Sequence, residues 1–261
     1  RCEGMVDAVP PVGLCQLAWA FAASDVHAQG LLDAVADRAE RSAGSLGARG
    51  LANLGWSYAV AGVFPEGLLA KVVEGIHREG ISDRTPVAYA QQVMQLHNAL
   101  RLDAPATGLA VRPEVVRACA DLLRRHKPYL PRGDGAGHRP PVHQWASSCL
   151  HERVSRALRR LGVPHENETF INELGSFVDV ALPQERVALE VNGRIHYREG
   201  RSDAQGAVLR NRHIMKYRHL RILGWRVVTI PEWEWEALGG DPAGEEHYLG
   251  KALGHARASR G

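Results

Sequence analysis

Apolar residues in the first part of the chain recur at the spacing of one face of an α-helix. The segment Leu14–Ala22 corresponds position by position to the segment Leu51–Ala59, and their first residues are 37 positions apart. Each is followed by a second apolar segment, at 31–35 and at 68–72, with the same offset. Pairs of helices that repeat every ~34 to 47 residues are typical of an α-solenoid. The pattern therefore predicts an α-helical repeat region over residues 1–127.

Large aromatic side chains occupy the same positions in both copies of this repeat, and a weaker third copy runs from Ala88 to Leu100. These aromatic residues are Trp19, Phe21, Trp56 and Tyr58. In the middle of apolar helices we expect them to pack between helices, although aromatic rings also serve as stacking platforms for bases. Gln16 and Asn53 share a polar position of the repeat and are candidates for contacts with RNA bases.

The composition of the chain changes after residue 105. Val111–Lys127 has the apolar spacing of one more amphipathic helix. The segment from Lys127 to His143 contains four prolines and three glycines. Because such residues interrupt regular structure, residues 128–146 are predicted to form a linker between two domains.

Residues 177–192 predict a β-hairpin, because apolar residues alternate with polar or small ones on both sides of a proline-containing turn. A turn centred at 184–185 places Asp179 opposite Glu190. Asn192 then lies on the same face as Glu190. Since opposed carboxylates repel each other, a divalent cation or a basic side chain is expected between them. The alternative is that both carboxylates face solvent on a half-buried sheet.

The segments around this hairpin follow an α+β order. They are a helix at Ser147–Leu161, a strand at Glu166–Ile171, a helix at Ala207–Leu220 and a strand at Arg226–Ile230. Residues 147–238 are therefore predicted to form a second domain, and residues 239–261 a C-terminal tail.

The stretch from Gly206 to Arg226 is the most basic part of the chain. It holds six Lys or Arg residues, two His residues and no Asp or Glu. A helix of this composition presents a positive face suited to a phosphate backbone, the alternative being a solvated charged surface. The predicted nucleic-acid contacts are Arg210, Arg212, Lys216, Arg218 and Arg221.

A set of motifs in the second domain carries a family resemblance. The motifs are Leu189–Gly193 with His196, the spaced residues Lys216, Leu220, Gly224 and Trp225, and the segment Val227–Pro231. With them, the region Ser147–Leu238 resembles the RAP domain of organellar RNA-handling proteins, which has a PD-(D/E)XK restriction-endonuclease-like fold. The helical copies resemble octotricopeptide repeats and the repeats that precede RAP domains in FAST-kinase-like proteins.

The resemblance implies candidate residues for a metal-dependent nuclease. Asp179 and Glu190 would hold Mg²⁺ or Mn²⁺, and Lys216 or His196 would stabilise the charge that develops on the phosphate. Many RAP domains have Asp at position 192, where this chain has Asn, and catalytic nucleases of the fold have Lys there. Lys216 lies on the apolar side of its helix and is the candidate to replace that Lys.

Length and composition limit the class of protein further. The chain has 261 residues, a formal net charge of +3 and four cysteines, none of them in a C-x-x-C pair. Reduced thiols in a reducing compartment are therefore expected, rather than a disulfide framework or a zinc ribbon. No apolar run reaches the ~18 residues that span a bilayer. The chain begins with Arg1, which predicts a longer protein with its targeting peptide upstream.

Three functions fit these observations. The favoured one is an RNA-binding protein of the mitochondrion or chloroplast, which holds single-stranded RNA during transcript processing, stabilisation or translation, with organellar ribonucleoprotein partners. The second is a metal-dependent endoribonuclease that uses Asp179 and Glu190. The third is a protein-interaction scaffold without an RNA role, which the acid-free basic stretch disfavours.

Overall fold

The computed structural model of the protein describes residues 6–126, 142–198 and 206–258, with the backbone alone described for 142–149. The chain divides into two compact units. The first comprises Arg1–His126, Asn172–Ser176 and Ile214–His219, and the second comprises Lys127–Ile171, Phe177–His213 and Leu220–Gly261. Most of the linker predicted at 128–146 lies outside the described residues.

Helices precede the sheet in chain order. The α-helices up to residue 126 are α1 (Pro11–Ala23), α2 (Gln29–Ser42), α3 (Ala48–Ala61), α4 (Glu66–Glu79), α5 (Val87–Leu102) and α6 (Pro113–Arg125). The later elements are α7 (Val142–Arg160), β1 (Glu166–Ile171), β2 (Ser176–Leu182), β3 (Val187–Asn192), α8 (Asn211–Ile222), β4 (Arg226–Pro231), α9 (Glu232–Glu236) and α10 (Pro242–Ala258). The predicted fold class, helical repeats followed by an α+β domain, is confirmed.

The helical copies have the predicted period. Helix α3 begins 37 residues after α1, and α4 begins 37 residues after α2. Helices α1, α3 and α5 pack side by side, and α2 packs on α4. The third copy is longer, because α6 begins 47 residues after α4 and a short 3₁₀ helix at Pro105–Thr107 lies between α5 and α6.

The aromatic residues at matched repeat positions have different environments. Trp56 and Tyr58 are buried at 8% and 0% exposure, as the repeat pattern predicted. Trp19, however, is 46% exposed, so the prediction that it packs between helices is wrong. The indole N–H of Trp56 donates to Gln95 on α5, whereas Trp19 lines a cavity.

The four strands of the sheet lie in the order β1-β2-β3-β4. Strands β2 and β3 are antiparallel and pair Val180 with Leu189 and Leu182 with Val187, which is the predicted register. A 3₁₀ turn at Pro183–Glu185 connects them. Strand β4 runs parallel to β3 on its other side.

Strand β3 is buried on both faces, which the sequence pattern did not predict. Val187, Leu189 and Val191 point into a core formed with α7, β4, α9 and α10. The opposite face holds Glu190 and is buried as well. The alternative in which both hairpin carboxylates face solvent is therefore wrong for Glu190.

Helices α7 and α10 pack against each other beside the sheet. Leu249 and Leu253 of α10 belong to the core, so the segment predicted as a tail from residue 239 contains a packed helix. Glu245 of α10 is 5% exposed and forms ion pairs of 2.9 Å with both Arg153 and Arg160 of α7. In the described part of the chain, no helix combines the length and the apolar character needed to cross a membrane.

Candidate functional site

The end of β3 places two polar side chains inside the second unit. Glu190 is 4% exposed and Asn192 is fully buried. Because successive side chains of a strand alternate between its faces, these two share one face. A carboxylate and an amide at such depth are stable only with polar partners.

Asp179 lies opposite Glu190, at the point where the backbone ladder between β2 and β3 ends. The last pair of that ladder is Val180 with Leu189, and the same register continued by one residue places Asp179 opposite Glu190. One carboxylate oxygen of Asp179, Oδ2, accepts the backbone N–H of Val191 at 2.7 Å. The side chain of Asp179 therefore satisfies a β3 donor, which is a structural role that the sequence pattern did not reveal.

Asn192 connects β3 to the residues that follow it. Its amide oxygen accepts a hydrogen bond from His196 Nδ1 at 3.0 Å. Burial raises the pKa of Tyr197, and the neighbouring amide of Asn192 opposes the rise. A buried amide thus fixes the imidazole in the loop after β3, a task that a Lys at this position would not perform because an ammonium group cannot accept.

His196 is half-buried and has a defined orientation. Because Nδ1 donates to Asn192, a neutral imidazole carries its lone pair on Nε2. Its ring lies 4.4 Å from that of His213, at an angle of 31°. The backbone carbonyl of His196 accepts from the N–H of Arg210 at 2.9 Å. The surrounding residues therefore hold this imidazole in one position, as a group that donates a proton or contacts a phosphate requires.

The loop after β3 is also tied to helix α9. The backbone N–H of Arg194 donates to Glu232 at 2.9 Å. The ring of Tyr197 lies 4.5 Å from that of Trp233 in an edge-on arrangement. These contacts hold residues 193–198 against the start of α9.

Three of the predicted nucleic-acid contacts lie in the second unit. Arg212 and Arg221 are exposed. Arg210 is half-buried, and its Nε donates to the carbonyl of Ile195 at 3.0 Å. Arg212 and Arg221 therefore have the exposure that contact with a phosphate backbone needs, whereas Arg210 also supports the loop that carries His196.

The other two predicted contacts, Lys216 and Arg218, lie in the part of α8 that belongs to the first unit. Lys216 is half-buried. Arg218 Nε donates to Asp103 at 2.8 Å, and the buried His219 bonds to the same carboxylate at 2.8 Å. Burial acts to raise the pKa of Asp103, but the hydrogen bonds from Arg218 and His219 outweigh it and lower that pKa. Local sequence patterns carry no signal for this ion pair, because its members are 115 positions apart.

A divalent cation would find a small set of ligands here. Among the described residues, no group of three or more His, Cys, Asp or Glu side chains is arranged to hold a metal. Mg²⁺, however, is commonly held by one or two carboxylates together with waters and substrate phosphates. Asp179 and Glu190, which the register of the hairpin places opposite each other, are the pair of carboxylates that would meet this requirement.

The protein belongs to the class that combines an α-helical repeat region with a small α+β domain. Within the second part, residues 189–252 match the family model of the RAP domain, from β3 into α10. The chain is also 25% identical to the "RAP domain-containing protein, chloroplastic" of Oryza sativa subsp. japonica, over 67% of this chain and 24% of that protein. The protein thus carries a RAP domain, as its motifs predicted, and it spans about a quarter of this relative's length. The octotricopeptide type of the helical copies stays a prediction.

Proposed function

We propose that the protein binds single-stranded RNA in a chloroplast or mitochondrion, where it acts in the processing, stability or translation of transcripts. The RAP domain and the chloroplastic relative support an organellar nucleic-acid-binding role. The observation that carries the proposal is the acid-free stretch Gly206–Arg226 in the RAP domain, with Arg212 and Arg221 exposed. Cations on such a surface bind RNA by displacing the counterions of its phosphates.

The test is fluorescence anisotropy with labelled single-stranded RNA over a series of salt concentrations. For single strands, the slope of log K against log salt is about −0.7 per phosphate contact. The double variant Arg212→Ala/Arg221→Ala should therefore bind more weakly and with a slope shallower by about 1.4. Arg78→Ala is the control, because Arg78 is exposed but pairs with Glu74 at 2.9 Å. Equal slopes for the double variant and the wild type would contradict this surface as the RNA contact.

The alternative function is a metal-dependent endoribonuclease, which the position of Asp179 opposite the buried Glu190 favours. Mg²⁺ or Mn²⁺, when bound, would supply an activated water and neutralise phosphate charge. Asp179 and Glu190 would hold the ion, and His196, fixed by Asn192, would contact the phosphate or donate a proton. Lys216 stays a candidate for the cationic role that position 192 does not fill.

A cleavage assay distinguishes the two functions. Labelled single-stranded RNA with Mn²⁺ is treated with the wild type, Asp179→Asn, Glu190→Gln and the control Glu236→Gln, whose carboxylate is exposed. Asn at 179 keeps an oxygen that accepts the N–H of Val191, so its fold should persist. Cleavage that is lost in both site variants and kept in the control would establish the nuclease. Binding without cleavage in all four proteins would support RNA binding and contradict the nuclease function.

A further inference from the structure

The first unit contains a cavity of about 630 Å³ on the side where α1, α3 and α5 run next to one another. Gln16 and Trp19 line it from α1, Asn53 from α3, and Tyr89 and Gln92 from α5. The loop between α4 and α5 closes one side. This volume lies within the range of ~300 to 1,000 Å³ that small-ligand sites occupy.

Trp19 gives the cavity an aromatic wall. It is 46% exposed, whereas the corresponding Trp56 of the next copy is 8% exposed. An exposed indole next to polar groups offers a flat apolar surface on which the face of a base stacks. The exposure of Trp19 therefore has a functional explanation that core packing does not supply.

Asn53 and Gln92 form an amide pair across the cavity floor between α3 and α5. Gln92 Nε2 donates to Asn53 Oδ1 at 2.7 Å. This bond uses one N–H and one oxygen of the two amides, whichever way each amide is turned. The other amide oxygen and the remaining N–H groups have no protein partner among the described residues. A side-by-side donor and acceptor matches the donor and acceptor edge that every nucleobase carries.

Tyr89 lines the same cavity, and its hydroxyl is buried within the helical unit. It is 6% exposed, and within the described ranges its hydroxyl has no hydrogen-bond partner. Burial, with the charge of Glu79 next, raises its pKa to about 12, so that the hydroxyl remains a donor at neutral pH. Because this hydroxyl is closed off from solvent, the amides of Asn53 and Gln92, and not the Tyr89 hydroxyl, are the polar groups available to a ligand.

Charged residues lie at the margin of the cavity. The side chains of Arg49 and Arg84 line it and are exposed, and neither guanidinium has an ion pair or hydrogen bond to another described residue. Glu79 lines it as well. Two unpaired guanidinium groups suit the phosphates that flank a bound base, while a carboxylate accepts only and suits an amino group.

We propose that this cavity binds one unpaired base of single-stranded RNA. The base stacks on Trp19, its edge pairs with the amides of Asn53 and Gln92, and its neighbouring phosphates contact Arg49 and Arg84. Because Glu79 only accepts, bases with an exocyclic amino group bind more tightly than uracil. This inference rests on the proposed RNA-binding function and assigns it a site in the helical unit.

The first test removes the stacking surface. Anisotropy with labelled oligoadenylate should show Trp19→Ala binding ~5-fold to 140-fold more weakly than the wild type, the range expected for one base stacked on an aromatic ring. Trp19→Phe keeps an aromatic face and should retain most of the affinity. Val12→Ala is the matched control, because Val12 lies on the same helix, is 62% exposed and does not line the cavity.

The second test addresses the base edge. Gln92→Leu should weaken binding, whereas Gln91→Leu, an exposed neighbour outside the cavity, should not. Oligoadenylate and oligocytidylate should bind more tightly than oligouridylate of equal length. Glu79→Gln should reduce that preference, since an amide also donates to a carbonyl oxygen.

The outcomes separate this inference from the function on which it rests. If the wild type binds no single-stranded RNA, the proposed function fails and the site fails with it. If the wild type binds RNA and both Trp19→Ala and Gln92→Leu bind equally well, the cavity is not the site, while the proposed function stands. Circular dichroism of each variant verifies that a loss of affinity does not reflect unfolding.

Discussion

In the first unit, Asn53, Gln92 and Trp19 line an open cavity, whereas in the second unit Asp179 and Asn192 bond to the backbone and side chains around β3. The first arrangement leaves hydrogen-bonding groups available to a ligand. The second uses them to fix the loop that carries His196. Polar residues that look equally functional in the sequence thus divide into those whose hydrogen-bonding groups are open to a cavity and those whose groups hold the structure.

The comparison extends to equivalent positions within the helical unit. Trp19 and Trp56 share a place in the repeat, but α5 covers Trp56 and hydrogen-bonds to it through Gln95. Trp19 lines the cavity instead. Equivalent repeat positions therefore place two side chains at the same point on their helices. The neighbouring helix then determines whether each side chain is buried or exposed.

The largest expected effect concerns this pair of tryptophans. Trp56→Ala should lower the free energy of unfolding by ~3 to 5 kcal/mol, because it leaves a cavity in packed surroundings. Trp19→Ala should lower it by less than about 1 kcal/mol, since that ring is 46% exposed. Urea denaturation followed by circular dichroism measures both. Similar losses for the two variants would mean that Trp19 is a core residue after all.

A smaller difference should separate the amides of Asn192 and Gln92. Asn192→Leu removes the acceptor for His196 at a fully buried position, so it should cost about 2 to 3 kcal/mol of stability. Gln92→Leu breaks a bond at a half-buried position and should cost less than about 1 kcal/mol. The same denaturation measurement applies. A larger loss for Gln92→Leu would reverse the assignment of binding and structural roles.

Substitutions of Asp179 test whether its carboxylate stabilises the fold. Asp179→Ala leaves the N–H of Val191 without its acceptor and should reduce stability by ~1 to 3 kcal/mol. Asp179→Asn keeps an oxygen at that place and should cost less than about 1 kcal/mol. Thermal unfolding of the metal-free variants measures the difference. Equal melting temperatures for the Ala and Asn forms would show that the hydrogen bond contributes little.

Local patterns in the sequence predicted much of this fold. The alternation on both sides of the turn gave the pairing of Val180 with Leu189, since a one-residue slip would move every side chain to the opposite face. The offset of 37 residues likewise predicted the starts of α3 and α4. Both features depend on residues that are close in the chain or on a regular period.

Features that depend on residues far apart in the chain could not be predicted from the sequence patterns. Nothing near Arg218 points to Asp103, and nothing near Glu190 shows that both faces of β3 are covered. The cavity beside Trp19 needs three helices in contact, so no single segment predicts it. The hairpin pattern predicts Asp179 and Glu190 as candidates, and the family motif adds His196, but neither predicts their hydrogen-bond partners.

The smallest expected effect is a pH dependence of the helical unit. Burial, and then the charge of Arg101, lowers the pKa of His97 to about 4. An unfolded His titrates near ~6.5, so between these values the unfolded chain takes up a proton before the folded one does. Stability should therefore be full above about pH 6.5 and decline as the pH falls towards 4, by on the order of 1 kcal/mol from this group. In thermal melts across this range, His97→Gln should flatten the decline and His126→Gln, at an exposed position, should not. An equally steep decline in His97→Gln would place the acid sensitivity elsewhere, with His219, whose pKa burial also lowers, as the next residue to change.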